Sequence, residues 1–559
     1  MAAIAALALG VGVVLGAGHV PGEQRVAERF AEAWSRSDYA AMHALLTPGA
    51  QQATDAQALA EAYRASASMA TARSYDVGEP ERGDDGVYEL GVTARTGAFG
   101  DVRAVVGLPL EGDGEEARVA WAPHLTFPGV AAGESLKRTT TLPPRASLLT
   151  RDNRVLAEGP ERDSPELATL AASIVGEMGP IPEELAEEYR AAGYPEDAEV
   201  GVSGLERILE RELAGTPGGE LRAGATVLGR GEPRKAAGVR TTLAPSVQEA
   251  AVAALAGRLG GAVAMDPATG EVLGVAGIAF SGLQPPGSTF KMLTLAGALR
   301  SGVASLKSTY PLASAATLSG VELNNANGEV CGGTLTEAFA ISCNSVFAPL
   351  GAELGGRRLV SIAERFGFNK PSPVPGAATS TMPPAAELGD DLGLGSTAIG
   401  QGRVLATTLQ MTIVAGAFGV GGRLPLPTLA YRADPQTRLG DRAVSAKVAR
   451  QVRRMMIEVV RNGTGGAAAI DGVRVAGKTG TAELRSTHPC TPVPDNPESC
   501  ADSTAQADDT TDTTAWFTAF APAEDPRIAV GVMLVANGAG GDTAAPAART
   551  LMQAALARR

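Results

Sequence analysis

A serine followed three residues later by a lysine opens a strongly apolar stretch of this chain. Pro285-Pro286-Gly287 stops whatever precedes it, and Ser288-Thr289-Phe290-Lys291 runs into Met292, Leu293, Leu295, Ala296 and Leu299. Residues three apart share a helix face, so the spacing predicts that the Ser288 hydroxyl and the Lys291 amine can meet. A serine hydroxyl attacks a carbonyl only if a neighbouring base takes its proton. A lysine held in apolar surroundings resists charging, so its pKa falls from about 10.4 toward neutrality and it can be that base. Free N–H groups at the helix start can stabilise an oxyanion. By itself the pair reads equally well as a capped helix with a surface lysine. Two more stretches change that balance: Ser342-Cys343-Asn344, inside the apolar segment 338–350, and Lys478-Thr479-Gly480-Thr481, at the end of the strand-like Val473-Arg474-Val475-Ala476.

Each of these also has a bland reading. Lys478 could be a charge that protects a sheet edge, Ser342 and Asn344 ordinary helix caps. Their order, helix then helix then edge strand, is what makes them a set. The elements around them follow from periodicity. Val26, Ala27, Phe30, Ala33 and Trp34 recur at helical spacing. A second helix follows Ser37 or Asp38, and a third spans Asp55–Ser68. Near residue 87 the period becomes two, with strands predicted at 87–94, 102–110 and 117–121. Helices followed by antiparallel strands indicate a small α+β domain, with Trp34 and Trp121 in its core. Further on, Glu206–Leu213 reads as a helix whose Glu206 is a first-turn charge favoured by the dipole. Strands at 261–265 and 271–275 flank the turn Asp266-Pro267-Ala268-Thr269-Gly270. A helix spans 406–418, strands 516–520 and 527–536, and a closing helix 544–556; residues 369–395 form a Pro/Gly/Ala-rich connection with no evident element.

The chain has 559 residues, 45% of them hydrophobic, which supports several domains. Its net charge of −13 without a long basic run excludes nucleic-acid binding. Met1–Gly18 carries no charge and is rich in Ala, Leu and Val, near the lower length limit of a membrane-spanning helix. The first cation, Arg25, lies beyond it, so we expect a basic cytoplasmic start to be missing, with a cleaved signal as the alternative. Either places residues 25–559 outside the cytoplasm. Export permits disulfides. The short polar loop between Cys490 and Cys500 is the expected bridge, ahead of Cys331–Cys343. Four scattered histidines give no zinc spacing, and no metal or organic cofactor is expected.

The three motifs together resemble penicillin-binding proteins and serine β-lactamases. Pro143-Pro144-Arg145-Ala146, with Ala146 in place of a glycine, and Gly201-Val202-Ser203-Gly204-Leu205-Glu206 resemble the pedestal of class B penicillin-binding proteins, where the second segment is architectural. The N-terminal part resembles an NTF2-like domain found in some of them. The implied organisation is a multidomain α+β chain: an anchor or signal at 1–20, an NTF2-like domain at 24–135, a pedestal or dimerisation domain at 138–238 and a transpeptidase domain of serine β-lactamase-like fold at 241–559. The implied activity is a D-Ala-D-Ala transpeptidase that cross-links peptidoglycan stem peptides and is acylated by penicillin. Ser288 would be the nucleophile and Lys291 its base. Ser342 would relay protons, Asn344 would hold the donor peptide, and Lys478 with Thr479 would bind its carboxylate. Gly480 would admit the donor strand, and the N–H groups of Ser288 and Thr481 would form the oxyanion hole. Implied partners are stem peptides, β-lactams, the membrane and a glycosyltransferase of wall assembly. A D,D-carboxypeptidase, a β-lactamase, a β-lactam sensor and a non-catalytic wall-assembly scaffold are the alternatives.

Overall fold

The computed structural model describes residues 21–84, 86–483, 492–493, 496–500 and 513–558. The expected N-terminal membrane segment therefore lies outside the described residues, as do Cys490 and most of the loop after Lys478. No helix among the described residues is long and apolar enough to cross a membrane. The chain forms two units. One comprises the chain up to Ala146, Met178–Val202 and Arg211–Ala237; the other comprises Ser147–Glu177, Ser203–Glu210 and the chain from Gly238 on.

In the first unit, α1 (Gly22–Ser35) buries Val26, Ala27, Phe30, Ala33 and Trp34. Asp38 starts α2 (Tyr39–Ala44) by accepting from Ala41 N at 3.0 Å. A short α3 (Pro48–Ala53) went unforeseen because it buries none of its residues and so has no apolar period. Asp55 caps α4 (Ala56–Met69) at 2.8 Å from Ala58 N. The sheet that follows contains β1 (Ala72–Val77), β2 (Glu81–Arg82), β3 (Tyr88–Thr96) and β4 (Asp101–Leu108), all pairing antiparallel with β3. Tyr88, Leu90, Val92 and Ala94 of β3 point inward. Trp34 sits against Phe30, Tyr63 and Tyr75 at ring-centroid distances of 6.4, 5.6 and 5.8 Å. Trp121 is half-buried, donating to the Tyr63 hydroxyl at 3.3 Å. A second antiparallel sheet joins residues 136–141, 218–223 and 226–231.

The second unit is built on a five-stranded antiparallel sheet. After α5 (Pro245–Leu255) come β5 (Gly260–Met265) and β6 (Val272–Gly277). Then come α6 (Lys291–Ser301), β7 (Cys331–Thr334), α7 (Leu335–Ala340), α8 (Asn344–Leu354), α9 (Thr408–Gly419) and α10 (Ala446–Asn462). The chain closes with β8 (Ala476–Glu483), β9 (Thr513–Ala521), β10 (Ile528–Leu534) and α11 (Ala545–Ala557). The sheet order is β6-β5-β10-β9-β8, which leaves β8 at the edge. One face packs on α5 and α11 through Val247, Ala251, Leu551 and Met552. The other is covered by α9, apolar nearly all round and buried from Thr408 to Phe418, as a helix inside a core must be.

Two local expectations change. The helix expected at Glu206–Leu213 is split into Gly204–Ile208 and Glu210–Leu213. Glu206 does lie in the first helical turn, and it is also fully buried, with its Oε1 2.6 Å from Arg162 Nη2. A carboxylate can be buried only with such a partner, and this one lies 44 residues away in sequence. The connection at 369–395 carries a short turn at Ala385–Glu387 and then the helix Asp391–Ala398, capped by Asp390.

Candidate active site

The Ser288 segment differs in detail from the expected helix start. Gly287–Phe290 forms a 3-10 turn, and the α-helix begins at Lys291. Gly287 has φ +50°, and a Cβ there would lie 2.5 Å from Thr481 O. Glycine is needed for both reasons: it tolerates the left-handed backbone, and it lets the turn lie directly on strand β8. Gly480 makes the reciprocal approach, since a Cβ on it would lie 2.8 Å from Pro286 O and 3.1 Å from Thr289 N. Lys478 through Thr481 lie within β8 and not at its end, because the chain at Ile470–Val473 still turns back on itself. Ser288 is half-buried at this junction.

Lys291 and Lys478 are both fully buried. Lys291 Nζ donates to Ser342 O at 2.6 Å, to Asn344 Oδ1 at 2.6 Å and to Ser342 Oγ at 3.3 Å. Lys478 Nζ donates to Ser342 Oγ at 2.8 Å and to Thr479 O at 3.0 Å. The Ser342 hydroxyl therefore links the two amines. It is held there by a left-handed backbone, φ +64°, in the turn between α7 and α8; for a non-glycine residue such a conformation costs on the order of 1 kcal/mol or more and is typical of functional turns. Asn344 is oriented by donating from Nδ2 to Asn324 O at 2.8 Å. Burial holds the Lys291 amine well below the usual lysine range, and the nearby Lys478 charge lowers it further. Burial also lowers Lys478, to about 7. Among the described residues neither amine has a carboxylate in its hydrogen-bond shell; that is a costly arrangement in a protein interior, and such shifts concentrate at functional sites.

The structure thus joins Lys291, Ser342, Asn344 and Lys478 in one hydrogen-bonded group, with Thr479 attached through its carbonyl, and lays Ser288 beside Gly480 and Thr481. Ser288 Oγ is not among the Lys291 partners. Catalytic hydrogen bonds often form only once substrate is bound. Several contributors were not legible beforehand. Thr464 Oγ1 lies 2.5 Å from Thr479 Oγ1. Gly540 N donates to Thr481 Oγ1 at 3.2 Å, and a Cβ on Gly540 would fall 2.2 Å from both Gly480 O and Trp516 O. The run Gly463-Thr464-Gly465-Gly466 after an amphipathic helix was the available hint for the first. Cys331 and Cys343 are disulfide-bonded, tying the residue between Ser342 and Asn344 to β7. The fold brings the Cys331 and Cys343 Cα atoms within 5.9 Å, well inside bonding range; the expected Cys490–Cys500 bridge involves Cys490, which lies outside the described residues. No group of three or more His, Cys, Asp or Glu side chains among the described residues is placed to hold a metal.

This constellation on this sheet defines a class, and the comparisons agree. Residues 260–553 match the penicillin binding protein transpeptidase domain, and residues 155–225 the penicillin-binding protein dimerisation domain. The chain belongs to the penicillin-binding protein transpeptidase family. It is 37% identical over 305 residues to the peptidoglycan D,D-transpeptidase PbpA of Mycobacterium tuberculosis, covering 50% of this chain and 56% of that protein. It is 32% identical over 419 residues to PbpA of Mycolicibacterium smegmatis, covering 63% of this chain and 79% of that one. Penicillin-binding protein A from M. tuberculosis, solved as a ceftriaxone acyl-enzyme complex, aligns with a TM-score of 0.56 and 26% identity over 74% of this chain and 98% of that chain. The chain thus spans a little over half the length of the M. tuberculosis relative PbpA.

Proposed function

We propose that this protein is a peptidoglycan D,D-transpeptidase working through an acyl-serine on Ser288. The observation that carries the reading is the pair of buried amines joined through the Ser342 hydroxyl beside the Ser288 turn. Lys291, whose charged form burial disfavours, acts in its neutral form: Nζ keeps its two N–H bonds to Ser342 O and Asn344 Oδ1, releases the longer 3.3 Å contact to Ser342 Oγ, and takes the Ser288 proton on its lone pair as the oxygen attacks the penultimate D-Ala carbonyl of a stem peptide. The tetrahedral oxyanion is met by backbone N–H groups of Ser288 and Thr481. Ser342, in contact with both amines, passes a proton to the departing D-Ala nitrogen. Lys478 and Thr479 receive the terminal carboxylate. An amine of a second stem peptide then attacks the ester, with the proton flow reversed. Both ends of the Asn344 amide are engaged by Lys291 and Asn324, so it meets the donor peptide through the second Nδ2 proton. Among the described residues β8 is the edge strand of its sheet, the position at which an extended donor pairs.

A β-lactam presents a strained amide and a carboxylate to the same groups, so penicillin acylates Ser288. A β-lactamase would need a base to activate water at the ester. Glu353, Glu364 and Glu458 lie in helices, and Glu387 pairs with Arg403 at 3.1 Å; among the described residues none of these carboxylates bonds to Ser288 or Lys291. This favours a long-lived adduct and the transpeptidase reading. We place the protein at the cell membrane with residues 25–559 outside the cytoplasm, anchored through its N-terminal segment. The first unit supplies an NTF2-like positional domain, and a glycosyltransferase supplies the glycan strands.

The test is incubation of the full chain with fluorescent penicillin, followed by donor and acceptor peptides. The expected result is one adduct by intact mass that persists for many minutes and is absent in Ser288→Ala, and peptide cross-linking by the unsubstituted protein. An adduct that persists in Ser288→Ala would remove the assignment. Rapid multiple turnover of a chromogenic cephalosporin would make it a β-lactamase.

A further inference from the structure

Resting on the transpeptidase reading, we propose that Thr464 is a positioning residue that aims the Thr479 hydroxyl at the substrate carboxylate and thereby sets selectivity for carboxylate-terminated donors. The two hydroxyl oxygens are 2.5 Å apart, so one proton lies between them. Either oxygen could donate. If Thr479 donated to Thr464, it would have no proton left for a substrate. If Thr464 donates, Thr479 is an acceptor toward it, and its own O–H is left for a substrate. Carboxylate capture needs the second arrangement.

Thr464 is held where it can impose that choice. Its backbone N–H donates to Ala340 O at 3.2 Å, two residues before Ser342, and its carbonyl oxygen lies 2.6 Å from where a Cβ on Gly541 would sit. It therefore touches the segment leading to the Ser342 turn, the lysine-bearing strand and the loop beyond Gly540. Gly463 permits this, because a Cβ on it would fall 2.1 Å from Ala340 O. The demand on Thr479 is high for a second reason. Two of the Lys478 protons go to Ser342 Oγ and Thr479 O, so the amine has one left for a carboxylate. A neutral hydroxyl polarised by a second hydroxyl supplies the missing donor.

The experiment compares Thr464→Val, which keeps the shape and removes the hydroxyl, with Thr464→Ser, which keeps it. Each full-length variant is assayed with two N-acyl-D-alanyl thioesters that differ only in whether the leaving group ends in a carboxylate or a carboxamide. Thr464→Val should lower kcat/KM about tenfold for the carboxylate substrate and less than twofold for the carboxamide, the loss falling mainly on KM; Thr464→Ser should stay within about threefold of the parent on both. Equal losses on the two substrates, or no loss on either, would overturn the inference while leaving the acyl-serine reading intact. Failure of the unsubstituted protein to turn over either thioester or to bind penicillin covalently would overturn that reading, and this inference with it.

Discussion

The two units bury very different things. The first closes its core with Trp34, Phe30, Tyr63, Tyr75 and the inward side of β3, apolar and aromatic groups that gain from leaving water. Its buried tyrosine hydroxyl at Tyr63 is answered locally, donating to Leu125 O at 3.2 Å. The second unit has an equally tight apolar layer between its sheet and the helices α5 and α11. On the side that carries Ser288, however, it buries two lysine amines whose hydrogen-bond acceptors among the described residues are hydroxyl, amide and carbonyl oxygens. The first region is arranged for stability. The second encloses two amines whose charged forms burial disfavours.

The strongest test of that contrast is in the aromatic core. Trp34→Ala should destabilise the first unit by about 3–5 kcal/mol, the usual range for truncating a fully buried large aromatic, while penicillin acylation by folded protein stays within about twofold. Thermal melting and labelling rates check the two halves; loss of acylation in folded protein would break the separation. Lys291→Met should do the opposite. Acylation falls by about three orders of magnitude, the scale of a lost general base, and Tm does not fall.

Cys331→Ser tests a stabilising device inside the costly region. Opening a short loop removes about 2–3 kcal/mol in the chain-entropy account. Because the bridge fixes the residue beside Ser342, acylation should also slow severalfold, measured by stopped-flow labelling. The last effect concerns pH. Burial lowers the Lys478 amine to about 7 in the folded protein, against an ordinary lysine value of 10.5. Between those values the unfolded chain binds more protons, so this residue makes stability rise with pH through that window and leaves a constant penalty below it. By this linkage Lys478→Met should gain on the order of 4 kcal/mol at pH 7, a gain that shrinks toward zero above pH 10. Chemical denaturation across that range checks it, and a gain independent of pH would show that the amine is not the source.

Much of this was legible beforehand because it is local. Asp38 and Asp55 announce helix starts, the alternation from Tyr88 to Ala94 announces a strand, and the motifs at Ser288, Ser342 and Lys478 carry their own residue types and order. What escaped was set by contacts distant in sequence. Glu206 looks like any first-turn acid until the fold buries it with Arg162. Cys343 looks like a buried thiol until β7 arrives beside it. Thr464 has no motif, and only the packing of α10 against β8 brings its hydroxyl to Thr479. The 3-10 geometry of Gly287–Phe290 escaped because propensity continues the helix of Lys291 backward, whereas the contact with Thr481 tightens it.

The glycines at 287, 400, 480 and 540 deserve a last consequence. A side chain on Gly400 would fall 2.0 Å from Gly287 O, on Gly287 2.5 Å from Thr481 O, on Gly480 2.8 Å from Pro286 O, and on Gly540 2.2 Å from Gly480 O. Four backbones thus run through one seam beside the Ser288 turn with no room for a methyl group. In an evolving population this seam has almost no neutral variants. A lineage under selection from an inhibitor that acylates Ser288 must then find its escape in the flanking side chains and loops, and a saturation library should show four empty columns there amid tolerant neighbours.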